Sequence, residues 1–259
     1  YRLQTAAGRT WDEAFRRQSA QLTDSEVSTE RDTRLRAEVE KALPALVLQG
    51  KAKVKRNLTL HTDGSQPPTT DAIPVWLRSE WDDGTTAKQF EDLARSLGVD
   101  SPVVLVHLPR VQAQAFAKDL RSQLAAQRTL DQQGFPQDDD GKQARRTMES
   151  RLSRAQTLVS DHVRDILSKA SVQLGGGSAP SGTALRDRIE NGAQSAATRL
   201  FSKFDVADDA RWPQVTERIK KGSGTDALKA IGYDADPEQP QCAAEAKYGR
   251  KFGIVEGYG

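Results

Sequence analysis

The sequence has little of several features, and each scarcity excludes a class of protein. A single cysteine, Cys242, excludes an internal disulfide scaffold and is typical of a protein from the reducing cytoplasm. Uninterrupted apolar runs such as 103–106 are far shorter than the roughly 20 residues that a membrane-spanning helix needs. An excess of one charge is also lacking, since 38 basic residues face 36 acidic ones. This balance does not indicate a nucleic-acid-binding protein.

Methionine is scarce too, because Met148 is the only one and the chain begins Tyr1-Arg2-Leu3. We therefore expect the sequence to be a fragment or a processed chain. Its 259 residues are enough for one large domain or two small ones with a buried core.

The first 44 residues predict an N-terminal helical hairpin. Thr10 and Glu13 have the spacing of a capping box, which predicts a helix from this point to about Leu22. A second amphipathic helix is predicted over 24–43 and ends at Pro44, since proline cannot continue a helix.

Residues 45–174 predict a central α/β domain that includes long helices. Strands are predicted from alternating or continuous apolar residues over 51–61, 73–77, 102–108 and 172–174. Helices are predicted over about 86–97, 111–130 and 141–170. The order of strand, helix and strand between 73 and 108 predicts a βαβ unit.

Residues 175–259 predict a glycine-rich connector and a C-terminal helical subdomain. Helices are predicted there over 184–204, 212–220 and 225–231. The predicted fold class is therefore a helix-rich α/β chain with a small mixed sheet, a βαβ unit, long helices and a C-terminal helical subdomain.

The glycine-rich stretch at 175–177 lies between a predicted strand and a predicted helix, as a phosphate-binding loop does. Gly177 and Gly182 have the separation of a P-loop. However, Thr183 stands where the lysine belongs and Ala184 where the hydroxyl residue belongs. The sequence therefore favours an ordinary flexible connector.

Asp236, Glu245 and Lys247 have the order of a metal-dependent nuclease site. Such a site requires neighbouring strands, and the surrounding alanines and prolines do not favour strands. We therefore regard this order as a chance arrangement.

The histidines and a run of aspartates give no metal-ligand spacing. His61, His107 and His162 lie far apart on different predicted elements, and His107 is expected to be buried and hydrogen-bonded. The run 138–140 precedes a predicted helix and is expected to interact with the amino terminus of that helix.

Two groups of basic residues are candidate nucleic-acid contacts. Lys51, Lys53 and Lys55 share one face of the first predicted strand, and Arg145 and Arg146 lie on a long predicted helix. The lysines equally indicate an edge strand protected against aggregation, which is the favoured interpretation. Acidic neighbours of the arginines are typical of a solvated helix surface.

Several segments occur in an order that is shared with a known family. They are 1–5, 73–78 with Trp81, 100–110, 144–152, 175–177 and 199–212. In amino-acid sequence and in order they resemble the part that follows the ATPase core in the BrxC family, also called PglY. These are the large P-loop ATPases of BREX phage-defence systems. The resemblance covers most of residues 1–235, whereas 243–259 do not match.

The resemblance implies a cytoplasmic multidomain ATPase that acts with a methyltransferase, a phosphatase-like protein and small accessory BREX proteins. ATP and Mg²⁺ are expected only in the ATPase region of the parent, so this fragment is expected to hold no cofactor or metal and to have no catalytic activity. The implied function is an interaction or scaffold module that links the motor to partner proteins or DNA. The alternative is direct nucleic-acid binding through Lys51, Lys53 and Lys55, and a metal-dependent nuclease ranks third.

Overall fold

The computed structural model describes residues 5–50, 53–68, 70–132 and 138–200. The predicted helices beyond residue 204 and the nuclease-like residues Asp236, Glu245 and Lys247 lie outside these ranges. The helices are α1 Ala6–Gln21, α2 Asp24–Ala42, α3 Ala87–Ser96, α4 Ala113–Leu130, α5 Asp139–Lys169 and α6 Leu185–Ala197. The strands are β1 Leu46–Gln49, β2 Val54–His61, β3 Ile73–Ser79, β4 Val104–Leu108 and β5 Ser171–Leu174. None of the described helices is both long enough and apolar enough to cross a membrane.

The five strands form one mixed sheet in the order β1-β2-β3-β4-β5. β1 and β2 are antiparallel, whereas β2 and β3 are parallel. β3 and β4 are neighbours joined through α3, as predicted for the βαβ unit. Every residue of β4 is buried, as expected for a continuous apolar strand covered on both faces. The predicted helix-rich α/β class is confirmed.

The edge strand β1 was not predicted, because four residues are too few to show a period. Leu46 and Leu48 are exposed on one side of β1. Helix α6 contacts this strand, and Gln194 Nε2 donates a hydrogen bond of 2.7 Å to the carbonyl of Leu48. Gln49 Nε2 in turn donates to the carbonyl of Leu200 at 2.6 Å. One backbone carbonyl of the edge strand is therefore bonded to a side-chain amide of α6, and one side chain of the strand is bonded to the carbonyl of Leu200.

The described residues belong to two compact units. The first takes 5–42, 78–87 and 107–171, and its helices α1, α2, α4 and α5 pack on one another. One core cluster of this unit comprises Ala7, Trp11, Ala126, Ala144 and Met148. The second unit takes 43–77, 88–106 and 172–200, with a cluster of Trp76, Phe90, Ala94, Val103 and Leu105. The division into 1–44, 45–174 and 175–259 stays a prediction.

Helix α1 begins one turn earlier than predicted. The Thr5 hydroxyl accepts a hydrogen bond of 3.1 Å from the Gly8 amide and so caps the helix. The Thr10 hydroxyl instead donates to the Ala6 carbonyl at 3.1 Å, inside the helix. The capping box predicted at Thr10 is therefore wrong. Burial of Ala7 extends the packed face of the helix towards its amino terminus.

Asp138 caps α5, as predicted for the run of aspartates. Its carboxylate accepts a hydrogen bond of 2.8 Å from the Gly141 amide. A capping box that was not predicted lies at the start of α2. The Thr23 amide donates to the Glu26 carboxylate at 2.8 Å, and the Glu26 amide donates to the Thr23 hydroxyl at 3.1 Å.

Arg128 on α4 joins this capping box to a second helix. Its guanidinium donates a hydrogen bond of 2.7 Å to the Glu26 carboxylate. This bond, followed by the bonds from Thr23, lowers the pKa of Glu26 from its ordinary 4.5 to about 2. Because the folded-state pKa is lowered, the stability that Glu26 contributes is present above pH 4.5 and is lost as the pH falls towards 2.

Glu26→Gln should therefore make the free energy of unfolding less dependent on pH over this acid range. Denaturant midpoints of the full chain at about pH 6 and about pH 3 measure the difference. Glu13→Gln, which removes one exposed carboxylate of α1, is the matched control and should keep the wild-type slope. An unchanged slope in Glu26→Gln would contradict the role given to the capping box.

Candidate functional site

The loop that follows β3 is held by a network of charged and hydroxyl side chains. The Asp83 carboxylate accepts hydrogen bonds from the amides of Ser79 at 3.3 Å and Thr85 at 2.8 Å. The Arg78 guanidinium pairs with Asp83 at 3.2 Å and donates to the Thr85 hydroxyl at 3.1 Å. These hydrogen bonds, and not apolar packing alone, therefore hold the loop in one conformation.

Two further contacts tie this loop to the segment that follows β4. The Glu80 carboxylate accepts a hydrogen bond of 2.8 Å from the Arg110 amide. Nε2 of His107 lies 2.7 Å from the Thr85 carbonyl, and this nitrogen carries the proton in the contact because a carbonyl only accepts. The His107 side chain is 2% exposed, which confirms the prediction that it is buried and hydrogen-bonded.

Trp81 is the large aromatic residue that these loops present. Its indole Nε1 donates a hydrogen bond of 3.0 Å to the Pro109 carbonyl. Its ring meets the fully buried Phe116 edge to face, with the ring centres 5.8 Å apart. The His162 ring also stacks on Phe116, and its Nε2 lies 3.0 Å from an Asp119 carboxylate oxygen. The indole is thus held by the hydrogen bond at its nitrogen and by its contact with Phe116.

Two guanidinium groups lie over the Trp81 ring. Cζ of Arg31 is 4.7 Å from the ring centre, and Cζ of Arg110 is 5.7 Å from it. Arg31 also forms a double hydrogen bond with Asp32, at 2.7 and 2.9 Å. Arg110 is exposed, and its guanidinium makes no ion pair with any residue that the structure describes.

These side chains border a pocket in the first unit, which we call the Trp81 pocket. Its volume is about 230 Å³, and it opens between α2, α4 and the two loops. Val27, Ala117 and Leu120 supply apolar lining, while Trp81, Arg31 and Arg110 supply the ring and the cationic groups. The arrangement offers an apolar surface next to a guanidinium with free hydrogen-bond donors.

The sequence did not predict Arg31, Trp81 and Arg110 as site residues. One usable signal was that Trp81 and Arg110 directly follow two adjacent strands of the βαβ unit, where binding sites gather in α/β proteins. Arg31 carried no signal, since it comes from α2 and meets Trp81 only in the folded chain.

Two of the three lysines of the predicted face, Lys53 and Lys55, are described by the structure. Lys51 lies outside the described residues. Lys53 lies in the turn between β1 and β2 with a φ of 53°, and its amide donates to the Gly50 carbonyl at 3.2 Å. Lys55 is exposed on β2, opposite Leu48 of β1. Because β2 lies between β1 and β3, the interpretation of this segment as a protected edge strand is wrong.

The predicted arginine pair lies on the exposed surface of α5. Arg145 forms an ion pair with Glu149 at 3.0 Å, as expected for a helix surface of mixed charge. Arg146 is exposed and forms no ion pair with the described part of the chain. These two arginines stay candidate contacts for nucleic acid.

The glycines of 175–177 have a packing role that the sequence did not predict. The Gly176 amide donates to the Ala94 carbonyl at 2.9 Å, and the Gly177 amide donates to the Leu174 carbonyl at 2.9 Å. A Cβ atom built at Gly175 would lie 2.2 Å from the Gly98 carbonyl oxygen. The two amides therefore bond to protein carbonyls instead of pointing at a phosphate site, and the loop fits closely against the segment after α3.

Among the residues that the structure describes, no three His, Cys, Asp or Glu side chains are placed to hold a metal ion together. Comparisons of the chain with protein-family models, curated proteins and solved structures give no significant match.

Proposed function

We propose that the chain is a non-catalytic interaction module of a large BREX anti-phage ATPase, and that it links the motor to partner proteins in the cytoplasm. The Trp81 pocket is the observation that carries the interaction function. Tryptophan and arginine are the residues that most often dominate the energy of protein interfaces. Here both stand beside an apolar surface, on loops that are already fixed.

The titratable groups near the pocket support a positioning role. The Glu80 and Asp83 carboxylates accept hydrogen bonds from backbone amides, and His107 bonds to a backbone carbonyl. Each of these bonds holds a loop in place, so the pocket is preorganised before a partner binds. A preorganised surface loses less entropy on binding than a mobile one.

The family assignment is supported by the resemblance of the collinear segments. One of them, 73–78 with Trp81, contains β3 up to Arg78 and the tryptophan of the pocket. In this proposal ATP and Mg²⁺ bind elsewhere in the parent. The partners are the methyltransferase, the phosphatase-like protein and the small accessory proteins of the BREX system.

Direct nucleic-acid binding is the second candidate function. Lys53, Lys55 and Arg146 are exposed and form no ion pair with any described residue. Cations that are not neutralised by neighbours are available to phosphate groups. This candidate differs from the first in its dependence on salt, because binding to phosphates releases counterions.

One retention experiment separates the two candidates. The full chain is immobilised and exposed in turn to each BREX protein and to duplex DNA, at low and at high salt. We expect at least one BREX protein to be retained with a dissociation constant of about 10 μM or tighter. DNA retention that falls steeply with salt, and falls again in a Lys51→Gln, Lys53→Gln, Lys55→Gln variant, would support the second candidate. Retention of no BREX protein would contradict the first.

A further inference from the structure

We propose that the Trp81 pocket binds an acidic side chain, an aspartate or a glutamate, of a partner protein, with Arg110 as its ion-pair partner. The inference rests on the proposed interaction function and names the chemistry of the partner.

Arg110 is placed as a carboxylate receptor. A guanidinium that stacks on an aromatic ring keeps its N–H donors in the plane of the group, where they fit the two oxygens of a carboxylate. Arg31 already uses such donors for Asp32. Arg110 lies 5.7 Å from the Trp81 ring centre and makes no ion pair in the described part of the chain, so its donors are open to a ligand.

The charges around the pocket favour a single carboxylate over a nucleic acid. Asp24 lines the pocket, and Asp32 lies beside Arg31. Asp24 is already paired with Arg121, and Asp32 with Arg31, so among the described lining residues Arg110 is the cation left without an acidic partner. One such cation matches a single carboxylate better than a row of phosphates. The Trp81 ring already carries two guanidinium groups, so it is not a free stacking surface for a base.

The volume and the apolar lining favour side chains of a peptide over a small-molecule ligand. At about 230 Å³, the pocket is smaller than typical small-molecule sites, which have roughly 300–1,000 Å³. Ala117 offers exposed apolar surface in the same pocket as Arg110, while Val27 and Leu120 are buried in the pocket wall. An acidic residue flanked by an aliphatic one therefore matches both Arg110 and the apolar lining of the pocket.

The test uses two peptides that differ only in charge. Acetyl-Leu-Glu-Leu-amide and acetyl-Leu-Gln-Leu-amide are titrated into the ¹⁵N-labelled full chain, and the indole N–H signal of Trp81 is followed by NMR. Trp81→Phe identifies this signal. We expect the glutamate peptide to shift it saturably and the glutamine peptide to bind about tenfold more weakly, as the loss of one charge-assisted hydrogen bond implies.

Arg110→Gln should remove the preference for the glutamate peptide. Lys118→Gln is the matched control, because it removes one exposed charge from α4 at a residue that does not line the pocket. It should bind like the wild type. Equal affinity for the two peptides, an unchanged preference in Arg110→Gln, or no shift with either peptide would overturn the proposal.

The same variant separates this proposal from the proposed function. If the wild type and Arg110→Gln retain a BREX partner equally, Arg110 is not the ion-pair partner of an acidic residue, and the interaction function stands. If the glutamate peptide binds through Arg110 but no BREX protein is retained, the assignment to BREX is wrong and the acidic-peptide site stands.

Discussion

Phe116→Ala is expected to lower the free energy of unfolding by about 4 kcal/mol, which is typical of a fully buried phenylalanine. The Phe116 side chain is 0% exposed and touches two other rings, those of Trp81 and His162. Alanine would leave a cavity between α4, α5 and the loop that presents Trp81. Denaturant unfolding of the full chain measures the loss, and the indole signal of Trp81 should broaden because its ring support is gone.

Phe15→Ala is the matched control in the same unit. Phe15 is only partly buried and packs at the margin of the α1 cluster, with the Arg151 guanidinium 4.5 Å from its ring centre. We expect this variant to lose about 1–2 kcal/mol, since its side chain is partly solvated before the change. Equal losses in the two variants would show that the rings around Phe116 add no more to the free energy of unfolding than the partly solvated contacts of Phe15 do.

Gly175→Ala is expected to lower the free energy of unfolding by about 3 kcal/mol, as overpacking of a rigid site does. The added Cβ would lie 2.2 Å from the Gly98 carbonyl oxygen and 2.8 Å from Cβ of Ser101. The backbone cannot retreat easily, because the Arg199 guanidinium donates to the carbonyls of both Ser101 and Gly175. The denaturation midpoint of the full chain gives the measurement.

Gly98→Ala separates the steric effect from the backbone effect. Gly98 has a φ of +72°, but nothing lies within 4 Å of a Cβ built there. Alanine at this position should cost only about 1–2 kcal/mol for the left-handed conformation. A loss in Gly98→Ala as large as that in Gly175→Ala would contradict the close packing assigned to the glycine loop.

Elements with long or unbroken patterns were predictable from the sequence. The stripe of apolar residues along α5 and the continuous run of β4 gave the correct element type, and Pro44 correctly marked the end of α2. Gly98 follows α3 with a φ of 72°, the left-handed conformation in which a glycine often ends a helix. In each case neighbours along the chain determine the local structure.

Features that depend on distant partners were not predictable. The alternation over 51–61 placed Arg56 on the apolar face, and the structure buries it with Gln49 Oε1 at 2.8 Å from its Nε. The sequence period gives the buried side of β2, but the partners of the guanidinium come from elsewhere in the chain: Gln49 lies on β1, and Asp71, whose carboxylate is 3.5 Å away, precedes β3. The inner position of β2 likewise depends on pairing with β1 and β3.

The candidate site was hidden for the same reason. Arg31 and Trp81 are 50 residues apart in sequence, and the hydrogen bond from Arg31 to the Trp81 carbonyl forms only when α2 packs beside the loop after β3. No local spacing encodes such a contact. The sequence offered only the position of Trp81 after a buried strand.

The hydrogen bond between the Gln194 side chain and the backbone of β1 has a consequence for self-association. A solvent-facing strand that carries leucines is a template on which a second chain could add its own backbone. Gln194 occupies the carbonyl of Leu48, so an incoming strand would first have to displace a bond of the folded chain. This hydrogen bond opposes the addition of a strand from a second chain at the edge of the sheet, even though Leu46 and Leu48 are exposed to water.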